Sequence, residues 1–189
     1  GRPAGIPRNR LASIAVVPAR YPPQMGLISL RLATVADAEQ IRQIYNYEVR
    51  HTTATFDLVP RTLADQQQWL ADRSGAFATI VAVDESSAIV GFGALSAYKE
   101  RAAYRTSVEN SVYVRRERHG EGIGRLLLTE LLAIATRSGF HTVFARINSA
   151  SEASVALHRA CGYEVVGIER EVGRKFGRWH DVALMQRLL

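Results

Sequence analysis

One stretch limits the possible folds more than any other. An extended apolar run, Ser107–Val114, passes Arg115, Arg116 and Arg118 and enters His119-Gly120-Glu121-Gly122-Ile123-Gly124, where a helix begins at once. That helix reads from about residue 124 to 138. Leu127, Leu128, Leu131, Ile134 and Ala135 fall on one apolar stripe, and Gly139 stands at the expected stop. Glycine lets the backbone turn tightly and approach a ligand closely. The first amides of a helix have no partner within it, and the helix dipole adds to their attraction for an anion. The turn therefore suits a pyrophosphate, and the three arginines read as a local phosphate site. Glycines alone leave an ordinary strand-to-helix loop open. A dinucleotide fingerprint would need G-x-G-x-x-G and a later acid, and a nucleoside-triphosphate loop would end in GK[ST]; this turn ends in Gly124-Arg125.

The rest of the chain supplies the setting. Residues 27–32 alternate enough for a first strand. Thr34, with Asp37 three residues on, opens a helix in a capping-box pattern, continued by Ile41, Ile44 and Tyr45. A loop with His51, Thr52, Thr53 and Phe56 runs to Pro60, and Thr62 with Asp65 opens a second helix holding Trp69 and Leu70. Residues 78–83 and 88–95 read as strands joined by the polar turn 84–87, and a polar loop, 96–105, precedes the next strand. Residues 142–147 read as a buried strand, 151–161 as a short helix stopped by Gly162, and 163–169 and 180–188 as two last strands. This order predicts a single mixed α/β domain around one central sheet. The helical crossover makes the strands 107–114 and 142–147 parallel.

Composition narrows the function classes. The formal charge is +6, but the first 24 residues carry Arg2, Arg8, Arg10 and Arg20 and no acid, which leaves the remainder mildly basic. No continuous basic face of the kind nucleic acid needs is visible. No apolar run reaches the roughly 20 residues that span a bilayer. The single cysteine, Cys161, excludes an intrachain disulfide and fits a reducing, cytoplasmic setting; beside Leu157 at the apolar end of a helix it reads as a core residue. The five histidines, His51, His119, His141, His158 and His180, fall in different elements without metal-ligand spacing, so no metal is expected. Residues 1–26 read as an extension outside the 27–189 domain: disordered, tag-derived or upstream sequence, with Met25 as the natural start. Their Arg-rich, acid-poor composition also allows a targeting peptide.

The glycine turn after a strand and before an amphipathic helix resembles the signature of the GNAT acetyltransferases, as does Leu157-His158-Arg159-Ala160-Cys161-Gly162-Tyr163, similar to that family's second landmark. Three further stretches resemble its phosphinothricin and methionine-sulfoximine branch: Lys99-Glu100-Arg101-Ala102-Ala103-Tyr104, Thr106-Ser107-Val108-Glu109-Asn110-Ser111-Val112-Tyr113-Val114, and Gly177-Arg178-Trp179-His180-Asp181-Val182. The resemblance covers residues 27–189 and implies a mostly antiparallel twisted sheet splayed between two parallel strands, flanked by about four helices. It implies acetyl-CoA as co-substrate, a small amino-acid-like acceptor and a homodimer whose pocket is completed across the interface. Two positions depart from the pattern. His119 opens the turn where Gln or Arg is usual, and Ser151 replaces an Asn; Ser151 is expected to cap the following helix.

Acetyl transfer needs a neutral amine, and an α-amino group titrates at about 8 or above, so a base must take its proton. The resemblance implies Glu109 as that base, in a strand whose Val108 and Val112 bury it and raise its pKa. It implies His158 as a second proton-handling group. It implies that Val112, Tyr113 and Val114 pair with the pantetheine, that a backbone N–H near Val112 serves the oxyanion, and that His119, Gly120, Glu121, Gly122, Ile123, Gly124, Arg125 and Ser151 hold the remainder of the cofactor. Arg101 would hold the acceptor's acidic group, with Tyr104, Lys99, Phe56, Asn110 and Ser111 around it. Transfer would be direct, in a ternary complex. Two other readings share the scaffold: an acetyltransferase acting on a protein N-terminus, lysine or polyamine, and a non-catalytic acyl-CoA-binding module. The presence of Glu109 favours an enzyme over the second.

Overall fold

The computed structural model describes residues 28–73 and 75–189. The expected N-terminal extension, and Leu27 of the first strand, lie outside the described residues. Seven strands form one sheet: β1 (Ser29–Leu32), β2 (Thr79–Val83), β3 (Ile89–Ala97), β4 (Ser107–Val114), β5 (Thr142–Asn148), β6 (Glu164–Lys175) and β7 (Arg178–Leu188), in the order β1-β2-β3-β4-β5-β7-β6. The helices are α1 (Ala38–His51), α2 (Leu63–Ala71), α3 (Ile123–Arg137) and α4 (Glu152–Ala160). No described helix is long and apolar enough to cross a membrane.

The helices cover both faces of the sheet, so its central strands are apolar on both sides. In β2, Ile80 and Ala82 join Leu127, Leu128 and Leu131 of α3 in one core, while Val81 and Val83 join Ile41, Ile44 and Leu70 of α1 and α2 in the other. Alternate residues of a strand face opposite ways, and β2 uses both directions for burial. Cys161 is buried in the α3 core, where burial raises its thiol pKa.

Local chemistry sets the helix starts. Thr62 Oγ1 accepts the Asp65 N–H at 3.1 Å while the Asp65 carboxylate accepts the Thr62 N–H at 3.0 Å, a reciprocal capping box. At Thr34 the Asp37 carboxylate accepts the backbone N–H at 2.8 Å, but a 3-10 turn, Val35–Asp37, precedes α1. Ser151 occupies the N-cap position of α4 without a side-chain capping bond, which corrects the expectation that its hydroxyl caps that helix.

The splay between β4 and β5 creates the site. The two strands pair in parallel only through Ser107↔Thr142, Val108↔Val143 and Glu109↔Phe144. β4 meanwhile stays paired with β3 through Val114, and β5 with β7 through Asn148. Beyond Glu109, β4 and β5 part and leave a gap in the middle of the sheet.

The last two strands extend further than expected. Residues 170–179 continue the ladder up to the pairs Arg174↔Trp179 and Lys175↔Arg178, closed by Phe176 and Gly177, both at positive φ (51° and 74°). Three residues, 170–172, bulge opposite Asp181. Asp181 Oδ1 accepts the Glu171 N–H at 2.8 Å and so holds the bulge, where Glu171 has φ 49°.

Candidate active site

Two hollows meet in the gap. One, of about 460 Å³, is lined by Val112, Tyr113 and Val114 on β4, by His119, Gly120, Gly122, Ile123, Gly124 and Arg125 at the start of α3, and by Ser151 and Leu157. The other, of about 430 Å³, holds Glu109, Asn110 and Ser111 with Phe56, Arg146 and His158. Ala54, Val112, Tyr113, Ser151 and Ser154 line both, so the two form one passage through the splay.

The first hollow fits an elongated ligand that ends in phosphates. Gly120 and Gly122 sit at φ 84° and 78°, a conformation an L side chain adopts only under strain. The first intrahelical bond of α3 runs from the Leu126 N–H to the Gly122 carbonyl at 3.0 Å. The amides of Ile123, Gly124 and Arg125 are therefore free to face an anion. A Cβ on Gly124 would lie 3.1 Å from Leu157 Cδ2, so this glycine lets α4 close against the turn. Along β4, the Arg115 N–H reaches the Val90 carbonyl at 2.8 Å, which turns odd-numbered backbone groups toward β3. By alternation the amides of Val112 and Val114 face the gap, as an added strand-like ligand requires.

His119 has turned back: its Nε2 lies 3.0 Å from the Val114 carbonyl. The three arginines differ from the expected phosphate cluster, because each is engaged within the protein. Arg115 Nε donates to the Ile89 carbonyl at 2.7 Å, Arg116 forms a two-pronged pair with the buried Glu48 at 3.0 and 2.7 Å, and Arg118 pairs with Asp84 at 3.1 Å and Glu121 at 2.8 Å. Glu121 therefore faces Arg118 rather than the hollow. Arg116 and Arg118 still form part of the wall, together with Arg125.

Glu109 stands at the last paired position before the strands part. Burial raises its carboxyl pKa above the ordinary value; Arg146 opposes the rise and Glu169 adds to it. Arg146 bridges the two acids, 3.9 Å from Glu109 and 3.7 Å from Glu169. Neither Arg146 nor Glu169 was singled out in the sequence. A lone charge inside the apolar run 142–147 was the available signal for Arg146.

Asn110 and His158 belong to a buried chain. The Tyr163 hydroxyl donates to Asn110 Oδ1 at 2.8 Å, Asn110 Nδ2 lies 3.1 Å from His158 Nε2, and His158 Nδ1 lies 2.8 Å from the Ser154 carbonyl. A carbonyl only accepts, so Nδ1 carries the hydrogen and Nε2 accepts from Asn110. Every member is then satisfied with a neutral imidazole. Burial also lowers the histidine pKa, against the opposing effect of the Ser154 bond.

Phe56 and Ser111 line the second hollow. Lys99, Arg101 and Tyr104 line neither hollow. They lie on an exposed segment around the 3-10 turn Ala102–Tyr104, where Lys99 Nζ sits 5.2 Å from the Tyr104 ring centroid. Among the described residues no cluster of three His, Cys, Asp or Glu could hold a metal ion.

Comparison with known proteins agrees with this geometry. A family model described as the acetyltransferase (GNAT) domain matches residues 30–184. The chain is 39% identical over 159 residues to an L-methionine sulfoximine/L-methionine sulfone acetyltransferase of Pseudomonas aeruginosa, covering 84% of this chain and 92% of that protein. It is 39% identical over 170 residues to a phosphinothricin N-acetyltransferase of Streptomyces coelicolor, covering 88% and 99%. Among solved structures, a GNAT phosphinothricin acetyltransferase from Sinorhizobium meliloti in complex with acetyl-CoA superposes with a TM-score of 0.83 at 40% identity, covering 86% of this chain and 88% of that one.

Proposed function

The chain belongs to the GNAT acetyltransferases and is an acetyl-CoA-dependent acyltransferase; from that premise we propose that it acetylates the amine of a small amino-acid-like acceptor of the phosphinothricin, methionine sulfoximine or methionine sulfone type, with Glu109 as general base. The observation that carries the reading is the position of Glu109, a half-buried carboxylate with a raised pKa at the mouth of the splay, where the two hollows meet. The first hollow takes acetyl-CoA, which supplies the acetyl group as a thioester. The free amides of Ile123, Gly124 and Arg125 hold its phosphates, and the edge of Val112 to Val114 aligns its pantetheine arm. The second hollow takes the acceptor. Glu109 draws the proton from the acceptor ammonium, directly or through a water, and the resulting amine attacks the thioester carbonyl; the C–N bond forms, the C–S bond breaks and coenzyme A leaves as the thiolate. The Val112 N–H, which faces the gap, offers a hydrogen bond where negative charge develops on the acyl oxygen. His158 is the second proton-handling group in this reading. It lines the acceptor hollow as a neutral imidazole.

The enzyme in this reading is the 27–189 domain, acting as a homodimer in the cytoplasm, with residues 1–26 outside the catalytic unit. The sheet edge supports a dimer: Val166, Ile168, Val172, Phe176 and Trp179 of the β6–β7 hairpin are exposed large apolar side chains.

Thiol release from acetyl-CoA, measured over a panel of phosphinothricin, methionine sulfoximine, methionine sulfone, a polyamine and a short peptide, tests the reading. Turnover with the amino-acid analogues that falls about 10²–10⁴-fold in Glu109→Gln is expected of a general base. Turnover confined to the peptide or polyamine overturns the acceptor class. Tight acetyl-CoA binding without turnover on any acceptor points to a binding module instead.

A further inference from the structure

Phe56 reaches the acceptor hollow from the loop between α1 and α2, and β6 is what seats it. A Cβ on Gly173 would lie 2.5 Å from Phe56 Cε2 and 2.8 Å from both Cδ2 and Cζ. Non-bonded carbons are most favourably placed at about 3.5–4.0 Å. The ring therefore rests on bare backbone. Across the ladder Gly173 pairs with His180, whose ring centroid is 5.9 Å from that of Phe56 at an interplanar angle of 34°. His180 is itself pinned, with Nε2 3.1 Å from the Lys175 carbonyl and Nδ1 3.3 Å from Asn148 Nδ2. Two residues beyond Gly173, and so on the same face of the strand, buried Lys175 donates its ammonium to the Thr55 carbonyl at 2.7 Å and to the Glu48 carbonyl at 3.4 Å. One face of β6 thus grips two successive loop residues, Thr55 by its carbonyl and Phe56 by its ring.

We propose that Gly173 is a specificity-determining position for the acceptor: the missing side chain seats the Phe56 ring, and the seated ring sets the width of the hollow beside Glu109. The inference rests on the assignment of that hollow to the acceptor. A methyl group at 173 must displace the ring, because the Lys175 tether at Thr55 keeps the loop from withdrawing as a unit. The first hollow is lined by neither Gly173 nor Phe56, so acetyl-CoA binding is left alone.

The test is a double-mutant cycle of Gly173→Ala and Phe56→Ala, read as KM for the preferred acceptor and for acetyl-CoA. Hydrogen exchange at the Ala54 and Asp57 amides, which bond to Thr52 Oγ1 and Thr55 Oγ1 at 3.1 and 3.2 Å, is followed in parallel. Gly173→Ala is expected to raise the acceptor KM about tenfold, the scale of a pocket changed by one methyl group, with the acetyl-CoA KM unchanged within about twofold. In the Phe56→Ala background the same substitution is expected to add nothing, because the ring it would strike is gone. An acceptor KM unmoved by Gly173→Ala, a penalty that persists without Phe56, or an equal rise in both KM values overturns the proposal. Silence of the wild type toward every amino-acid acceptor overturns the functional reading and with it the specificity role. Faster loop exchange in Gly173→Ala, absent once Phe56 is removed, would then still identify Gly173 as the seat of the loop.

Discussion

At the scale of single residues, Glu109, the proposed base, connects burial to both rate and stability. Its folded pKa is raised, chiefly by burial, with Glu169 adding and Arg146 opposing. The acid limb of kcat/KM is therefore expected above the ordinary glutamate value of about 4.3, and a pH–rate profile measures it directly. The same shift fixes the sign of its linkage to folding. A carboxyl with a raised native pKa contributes stability in its protonated form, below about pH 4.3, and loses that contribution as pH rises through the native value. At neutral pH the ionised group is a burden on the fold. Glu109→Gln carries no such charge, so its melting temperature is expected to match or exceed that of the wild type at about pH 7–8, with the gap closing below about pH 4. Thermal unfolding across that range checks it, and a variant that loses activity by unfolding would show the opposite sign. Lone-residue chemistry of this kind was legible in the sequence because Val108 and Val112 mark a buried strand around the acid. Its partners were not legible, since Arg146 comes from β5 and Glu169 from β6, and no local pattern links those strands.

Among the elements, those specified by local pattern were readable to within a few residues. The stripe of α3, the capping box at Thr62 and the stop at Gly139 depend on neighbours three or four positions away, and each stands where the periodicity puts it. The β6–β7 hairpin was read short because its signals are atypical. The first residue of its two-residue turn is Phe176, at φ 51°, where Asn, Asp or Gly is the usual marker. The bulge at 170–172 also breaks the alternation by which a strand is recognised. The ion-pair partners of the arginines beside the glycine turn were hidden for a related reason: composition shows charge, whereas Glu48 and Asp84 lie far off in sequence. In the proposed function the anion is therefore held mainly by the backbone of the turn. Gly122→Ala forces a side chain into the left-handed region at a cost of about 1–2 kcal/mol. Where that strain is relieved by swinging the α3 amides away, binding must restore it, and acetyl-CoA affinity is expected to fall about 5- to 30-fold. Calorimetric titration of acetyl-CoA, free of any acceptor, measures this; an unchanged Kd would move the phosphate contact from the backbone to Arg125.

The whole molecule raises a question that its separate parts leave open. The proposed acceptors all carry a carboxylate, joined in phosphinothricin by a phosphinate, and such a ligand calls for a free guanidinium. Among the described residues lining the acceptor hollow, Arg146 is the only arginine or lysine, and it already stands between Glu109 and Glu169. Lys99 and Arg101 are available, but they lie on an exposed turn outside the hollow of their own chain. The homodimer reading resolves the mismatch if the turn of one protomer completes the hollow of its partner, with the exposed apolar edge of β6–β7 available for association. Subunit mixing tests this at the level it concerns. Arg101→Ala and Glu109→Gln are each expected to be inactive as homodimers. In a mixed dimer one composite site regains both an intact Arg101 and an intact Glu109, while the other loses both. Random mixing of the two variants should therefore restore about a quarter of wild-type turnover, by the symmetry of a twofold interface. Recovery of that size assigns Arg101 to the partner's site. If mixed dimers form, as seen by a mass difference on one tagged protomer, and no activity returns, then Arg101 serves the hollow of its own chain and the composite site is ruled out.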